Sequence, residues 1–177
     1  MERPNREGFT LIEILVVLGV MAIVSSSIIS YSSSSRQQIA LATETSKLTQ
    51  LILRAKSLSI STYDAPAGVC GYGIEFDYVN NLYRLSSYKL NNCDNPNAIT
   101  SSDEREVFRV ANGVSLSAVV AGNQVGNIIY LPPDPVVYIS APGDNSVVNQ
   151  GGSVKLITTN GLASKVISIT SLGQVTF

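Results

Sequence analysis

The chain contains no histidine and no tryptophan, and only two of its 177 residues are cysteines. Catalytic triads and most zinc sites use histidine as base or ligand, so the composition excludes a histidine-based triad and a histidine-ligated zinc ion. Lysine and arginine number 12 against 13 acidic residues. This balance provides no basic excess to attract a nucleic-acid backbone. We therefore expect no enzymatic activity, no cofactor and no metal ion, and we do not expect DNA as a partner.

Charge is also scarce in the segment from Phe9 to Ile29, where Glu13 is the one charged residue. A helix of this length, at about 1.5 Å per residue, crosses a bilayer hydrocarbon core of about 30 Å. The basic residues Arg3 and Arg6 precede it, so the positive-inside rule predicts a cytoplasmic leader and an extracytoplasmic head. The sequence thus predicts a single-pass protein of the inner (cytoplasmic) membrane that contacts lipid.

The far half of this segment contains weak points for a helix. Gly19 has low helix propensity, and the hydroxyls of residues 25–27 can bond to the preceding turn and bend the helix. We predict local bending or melting between Gly19 and Ser35. No proline contributes, since none occurs between Pro4 and Pro66.

Glu13 is an acid inside an apolar segment. An ionised carboxylate at membrane depth is energetically costly, so such residues usually face a partner. If the chain were cut before Phe9, the new α-amino group would lie one helical turn away, in the same subunit or in a neighbouring one. The alternative is that the helix N-terminal dipole favours the acid. We predict the pairing role.

The hexapeptide Gly8-Phe9-Thr10-Leu11-Ile12-Glu13 follows a basic leader and opens an apolar run. This arrangement resembles the class III signal of type IV prepilins and type II secretion pseudopilins. The resemblance implies that a prepilin peptidase cuts between Gly8 and Phe9 and that Phe9 is then N-methylated. It also implies assembly with other pilin or pseudopilin subunits through an inner-membrane assembly platform.

Beyond the serines, an apolar stripe predicts that the helix continues to about Thr62, ahead of Pro66. Its members follow the three-and-four spacing of one buried face: Leu41, Thr45, Leu48, Leu51, Ile52, Ala55 and Leu58. The charged residues, including Glu44, are expected on the wetter side. The predicted organisation is a leader at 1–8, a transmembrane and assembly half of the helix at 9–35, and a globular head at 36–177.

The rest of the head has the alternation of short strands separated by turns. Strands are expected at 72–78, 82–90, 106–110, 114–120, 127–131, 136–140, 154–158, 165–170 and 174–177. Turns are expected at Asn80-Asn81, Asn112-Gly113, Gly151-Gly152, Asn160-Gly161 and Leu172-Gly173, a loop at 91–104 and a break at 132–135. The predicted fold class is α+β, with the long N-terminal helix packed on antiparallel sheet, possibly two small sheets.

Three head segments resemble GspH- or FimT-type minor pseudopilins and minor pilins. They are Leu53 to Ser57 before a Tyr-Gly-Ile-Glu-Phe strand, Tyr130-Leu131-Pro132-Pro133, and Ile167 to Val175. The chain differs from this group at Gly173-Gln174, where Gly-Arg is frequent. The resemblance implies a minor subunit of a type II secretion pseudopilus or a type IV pilus.

Two alternatives for function stay open. One is a minor pilin that binds DNA for uptake, for which the last strands offer only Lys155 and Lys165. The other is a membrane-tethered protein that never polymerises.

Cys70 and Cys93 flank the clearest hairpin in the part of the chain expected outside the cytoplasm, where disulfides persist. They form a disulfide or are two small buried side chains.

Two further patterns suggest ligands only weakly. The acids Asp94, Asp103, Glu104 and Glu106 match no calcium-loop spacing, so we interpret them as solvated. The segment Gly151 to Lys155 lacks the full phosphate-loop spacing.

Overall fold

The computed structural model describes residues 10–61, 68–117, 124–132 and 136–177, except the side chains of residues 28–33. The chain divides into two compact units, Met1–Arg36 and Gln37–Phe177. We call them the N-terminal unit and the head.

Helix α1, Leu11–Ser61, belongs to both units and is assigned without interruption. The helix is therefore not melted between Gly19 and Ser35, and the alternative of local bending there stays a prediction. Ser26 and Ser27 donate their hydroxyl protons to the carbonyl of Ile23, at 2.8 and 3.1 Å, and these bonds are made within the helix rather than in place of it. Among the residues that the structure describes, no helix is both long enough and apolar enough for a membrane span.

In the described part of the head, nine strands form two antiparallel sheets. The strands are β1 Gly71–Asp77, β2 Leu82–Leu90, β3 Ile99–Arg109, β4 Val114–Ser117, β5 Asn127–Leu131, β6 Val136–Ser140, β7 Gly152–Thr158, β8 Ser164–Ile169 and β9 Val175–Thr176. The first sheet has the order β3-β2-β1-β5-β6 and the second the order β4-β7-β8-β9.

The second half of α1 packs on both sheets. Leu48, Ile52 and Ala55 are fully buried in one cluster with Ile74 of the first sheet and Leu156 of the second. The three-and-four spacing places these helix residues on one face, so a single helix covers the apolar faces of two sheets. This confirms the predicted α+β architecture, including the second sheet.

The first sheet also carries a tight approach between its central strands. A Cβ built on Gly71 or Gly73 of β1 would overlap backbone carbonyl groups of β5, at Tyr130 and Ile128. Glycine is required here because any side chain would push the two strands apart.

The predicted loop at 91–104 is wrong from Ile99 onward, because β3 begins there. Strand β3 lies at the edge of its sheet and most of its side chains are exposed, so it has no buried face to impose an apolar alternation. The predicted hairpin turn at Gly151-Gly152 is also wrong, because Gly152 is paired with Ile169 at the start of β7.

Other turns agree with the prediction. Asn81 has a φ of 54°, and Gly113, Gly161 and Gly173 have φ between 72° and 88°. The left-handed region favours asparagine and glycine, which is why these positions were recognisable. The ends of two predicted features, residues 118–120 of the fourth strand and residues 133–135 of the break, lie outside the described residues.

Candidate processing and assembly site

Helix α1 begins with a reciprocal pair of side-chain caps. The backbone N–H and the hydroxyl of Thr10 both donate to Glu13 Oε2, at 2.9 and 2.8 Å, and the Glu13 N–H donates to Thr10 Oγ1 at 3.3 Å. A threonine followed three residues later by glutamate is the capping box, which satisfies N–H groups that have no partner in the first helical turn. Glu13 therefore stabilises the start of the helix within its own chain.

The capping geometry fits the alternative interpretation of Glu13, in which the N-terminus of its own helix, rather than a partner's amine, stabilises the carboxylate. Gly8 and Phe9 lie outside the described residues, so cleavage, methylation and pairing with the Phe9 amine stay predictions. In the uncut chain residue 9 carries an amide rather than a free amine, so the pairing can exist only after cleavage.

The apolar side chains that follow the cap have no protein cover. Every large apolar side chain from Leu11 to Val24 is more than half exposed, from 81% at Leu11 to 52% at Val24. Apolar surface left in water carries a cost of about 25 cal/mol per Å². This stretch of helix requires an apolar environment from outside its own fold.

Glu44 was expected on the wetter side of α1, and this prediction is wrong. Its side chain is only 3% exposed, and its Oε1 accepts a hydrogen bond of 2.6 Å from the Tyr83 hydroxyl. Lys47 Nζ lies 3.5 Å from the same oxygen. Burial, with the adjacent Glu44 carboxylate, raises the pKa of Tyr83. The sequence did contain a signal for the burial of Glu44, because residue 44 lies on the buried face of the helix between Leu41 and Leu48.

The lysine beside Glu44 borders a small cleft between α1 and the first sheet. Lys47 Nζ lies 5.7 Å from the ring centre of Tyr83 and 5.5 Å from that of Phe108. The cleft has a volume of about 190 Å³. Arg54 at its rim holds Glu106 with bonds of 3.0 and 2.6 Å. The cations at this cleft are thus engaged with the protein's own carboxylates and rings.

Cys70 and Cys93 are joined by a disulfide, with their Cα atoms 5.1 Å apart. Cys70 belongs to a small second core with Tyr88, Leu90, Ile129, Leu131 and Val147, separate from the core under α1. The bond ties the segment after β2 to the residue just before β1.

The acids considered for calcium do not converge. Three of them lie on β3, where Asp103 is 3.9 Å from Lys89, Glu104 is 3.0 Å from Arg84, and Glu106 binds Arg54. Asp94 lies in the segment after β2, where its backbone N–H donates to Asn92 Oδ1. Within the described ranges, no group of three or more potential ligands could hold a metal ion.

Lys155 and Lys165, considered for DNA, lie on neighbouring strands, β7 and β8. Lys155 is paired in register with Val166, and Lys165 with Leu156.

Comparison with known proteins gave one family match. The model of the prokaryotic N-terminal methylation motif matches residues 3–29, which include most of the leader, Phe9, the capping box and the apolar run. No curated protein and no solved structure matches the chain significantly. This match supports the predicted class III signal of the type IV pilin kind at the N-terminus of the chain.

Proposed function

We propose that this protein is a minor pseudopilin or minor pilin. It is held in the inner membrane by residues 9–35 with the head on the extracytoplasmic side, and it is then assembled into a pseudopilus or pilus fibre. It has a structural role and no enzymatic activity. The methylation motif at residues 3–29 carries the proposal.

The exposed apolar helix supports an assembly role. The side chains from Leu11 to Val24 need an apolar environment, which lipid or the helices of neighbouring subunits can supply equally. Transfer from membrane to fibre therefore exchanges one apolar environment for another. The resemblance of the head to GspH- and FimT-type proteins supports a minor rather than a major subunit.

Glu13 supplies the specific contact in this proposal. Before cleavage its carboxylate caps the helix through Thr10. After cleavage between Gly8 and Phe9, the free α-amino group becomes a charged donor that competes for the same carboxylate. A pair between Glu13 and the Phe9 amine of a neighbour would be strong in an apolar environment and would fix the register of the subunits.

The test compares Glu13→Gln, Glu13→Ala and the wild-type chain in cells with an active prepilin peptidase. We expect all three to be cut, with an N-terminal methylated Phe9 in mass spectrometry. Glu13→Ala should be depleted from sheared fibres because it lacks the acceptor. Glu13→Gln keeps an acceptor oxygen for Thr10 but loses the charge, so it separates capping from charge pairing.

Two outcomes would contradict the proposal at different steps. If the mature protein still begins at Met1, the proposed cleavage does not occur, and a simple membrane tether is favoured. Wild-type amounts of Glu13→Ala in sheared fibres would leave processing intact but remove the register role of Glu13.

A further inference from the structure

Three turns meet at the end of the head where its part of α1 begins. They comprise residues 78–81, 110–113 and 159–163, and we call them the base turns. Thr159 N–H donates to the Gly113 carbonyl at 3.0 Å, and Asn81 Nδ2 donates to the Val114 carbonyl at 3.1 Å. A Cβ on Gly113 would lie 3.3 Å from Gln37 Cγ, so the cluster lies against the first residue of the head.

Two of the base turns present a large apolar side chain to solvent. Val79 is 93% exposed and Leu162 is 76% exposed. The same type of hydrogen bond holds both residues. In each case the backbone N–H donates to the side-chain oxygen of the residue two positions earlier. Asp77 Oδ1 accepts from Val79 at 3.2 Å, and Asn160 Oδ1 accepts from Leu162 at 3.1 Å. The tips are thus fixed by local hydrogen bonds.

Two exposed basic side chains flank the base turns. The turns themselves contain no ionisable acid or base other than the Tyr78 hydroxyl, which donates to the Val125 carbonyl. Arg109 at the end of β3 and Lys165 near the start of β8 are exposed and flank them. The nearby acid Asp77 lies 3.2 Å from Arg84, which also contacts Glu75 and Glu104 of the same sheet. Exposed apolar tips, uncharged amides and flanking bases are the combination that suits the interface of an anionic bilayer.

We propose that the base turns rest on the surface of an anionic phospholipid bilayer while the chain is anchored there. Val79 and Leu162 insert at the level of the headgroups, and Arg109 and Lys165 face lipid phosphates. This inference rests on the membrane anchoring in the proposed function. In the sequence, the apolar run ends at Ile29 and the head begins at Gln37, so a short stretch of chain tethers the base turns to the membrane.

The absence of tryptophan from the chain allows a direct test. Val79→Trp and Leu162→Trp each place one fluorophore on a tip. Leu172→Trp is the matched control, because Leu172 is 75% exposed and lies in the turn that follows β8, whereas Leu162 lies in the turn that precedes it. Each full-length variant is reconstituted into phosphatidylcholine vesicles with or without phosphatidylglycerol, containing a headgroup spin-labelled lipid. Flotation of the vesicles checks membrane insertion.

We expect tryptophan at positions 79 and 162 to shift its emission to shorter wavelength and to be quenched in phosphatidylglycerol vesicles. Tryptophan at position 172 should emit as in water. Replacing Arg109 and Lys165 by glutamine should weaken the binding of the head to the bilayer surface. We expect the ratio of bound to free head, read from the quenching, to fall roughly fivefold for each charge removed.

Several results would overturn the inference. If the protein floats with the vesicles but tryptophan at positions 79 and 162 is not quenched, the inference about the base turns is wrong and the membrane anchor stands. Equal quenching with and without phosphatidylglycerol would remove the role of the bases. A shift that grows with protein concentration in detergent would assign the tips to a second copy of the chain. Failure to float would remove the anchor, and this inference with it.

Discussion

Tyr83 and Tyr130 are both fully buried tyrosines, but their hydroxyls have opposite surroundings. The Tyr83 hydroxyl donates to the buried Glu44 carboxylate. The Tyr130 hydroxyl has no hydrogen-bond partner in the described part of the chain. A buried polar group without a partner costs free energy, whereas a hydrogen bond to a charged group is among the stronger ones.

The two phenylalanine substitutions should therefore have opposite effects. Tyr83→Phe leaves Glu44 without its donor and should lower the free energy of unfolding by about 1–3 kcal/mol. Tyr130→Phe removes an unpaired hydroxyl and should leave stability unchanged or raise it by up to about 1 kcal/mol. Urea unfolding of the detergent-solubilised full chain, followed by near-UV circular dichroism, measures both. An equal loss in the two variants would contradict the distinction.

At the level of elements, the disulfide connects the hairpin of β1 and β2 to a core that α1 does not cover. Cys70 lies directly before β1 and Cys93 follows β2, at a sequence separation of 23. Their cluster includes Ile129 of β5 and Val147, which follows β6. The bond restricts the unfolded chain and so stabilises this side of the head.

Removing the disulfide should destabilise the head. The double variant Cys70→Ser, Cys93→Ser should lose about 2–4 kcal/mol of unfolding free energy. Dithiothreitol should lower the stability of the wild-type chain in the same urea titration and leave the double variant unaffected, since the chain has no other cysteine. A wild-type chain that is insensitive to the reductant would show that the bond adds no stability.

At the level of the whole molecule, the two cores enclose several tyrosines. Burial raises the pKa of Tyr78 to about 12 and that of Tyr130 to about 12. Burial also raises the pKa of Tyr83 and of Tyr88. An unfolded tyrosine loses its proton near pH 10. Between that pH and the folded pKa, the unfolded chain binds fewer protons than the folded one, so stability falls as pH rises.

The head should therefore be sensitive to alkali. Its stability should be steady up to about pH 10 and then fall, with a buried tyrosine such as Tyr130 contributing up to about 1.4 kcal/mol per pH unit. Urea titrations from pH 8 to 12 measure this slope, and Tyr130→Phe should make it shallower. A pH-independent stability over this range would contradict the argument.

Much of the architecture was predictable from local pattern. The stripe from Leu41 to Ala55 has a helical period, and the hairpin of β1 and β2 has alternating strands and an asparagine turn, so each specifies its element without long-range information. The first part of strand β3, from Ile99, was missed because an exposed edge strand needs only backbone pairing with β2. Glu44 was misplaced because charge suggested solvent, whereas its burial depends on the Tyr83 hydroxyl of another element.

The sequence by itself determined the N-terminal signal and the periods of the helix and most strands, because these depend on residues a few positions apart. Only the tertiary structure decided the order of the strands, their division into two sheets, the burial of Glu44 and the meeting of the base turns around Gln37. Those features depend on contacts between residues far apart in the chain. Their free energy comes from burial and pairing that no single segment can provide.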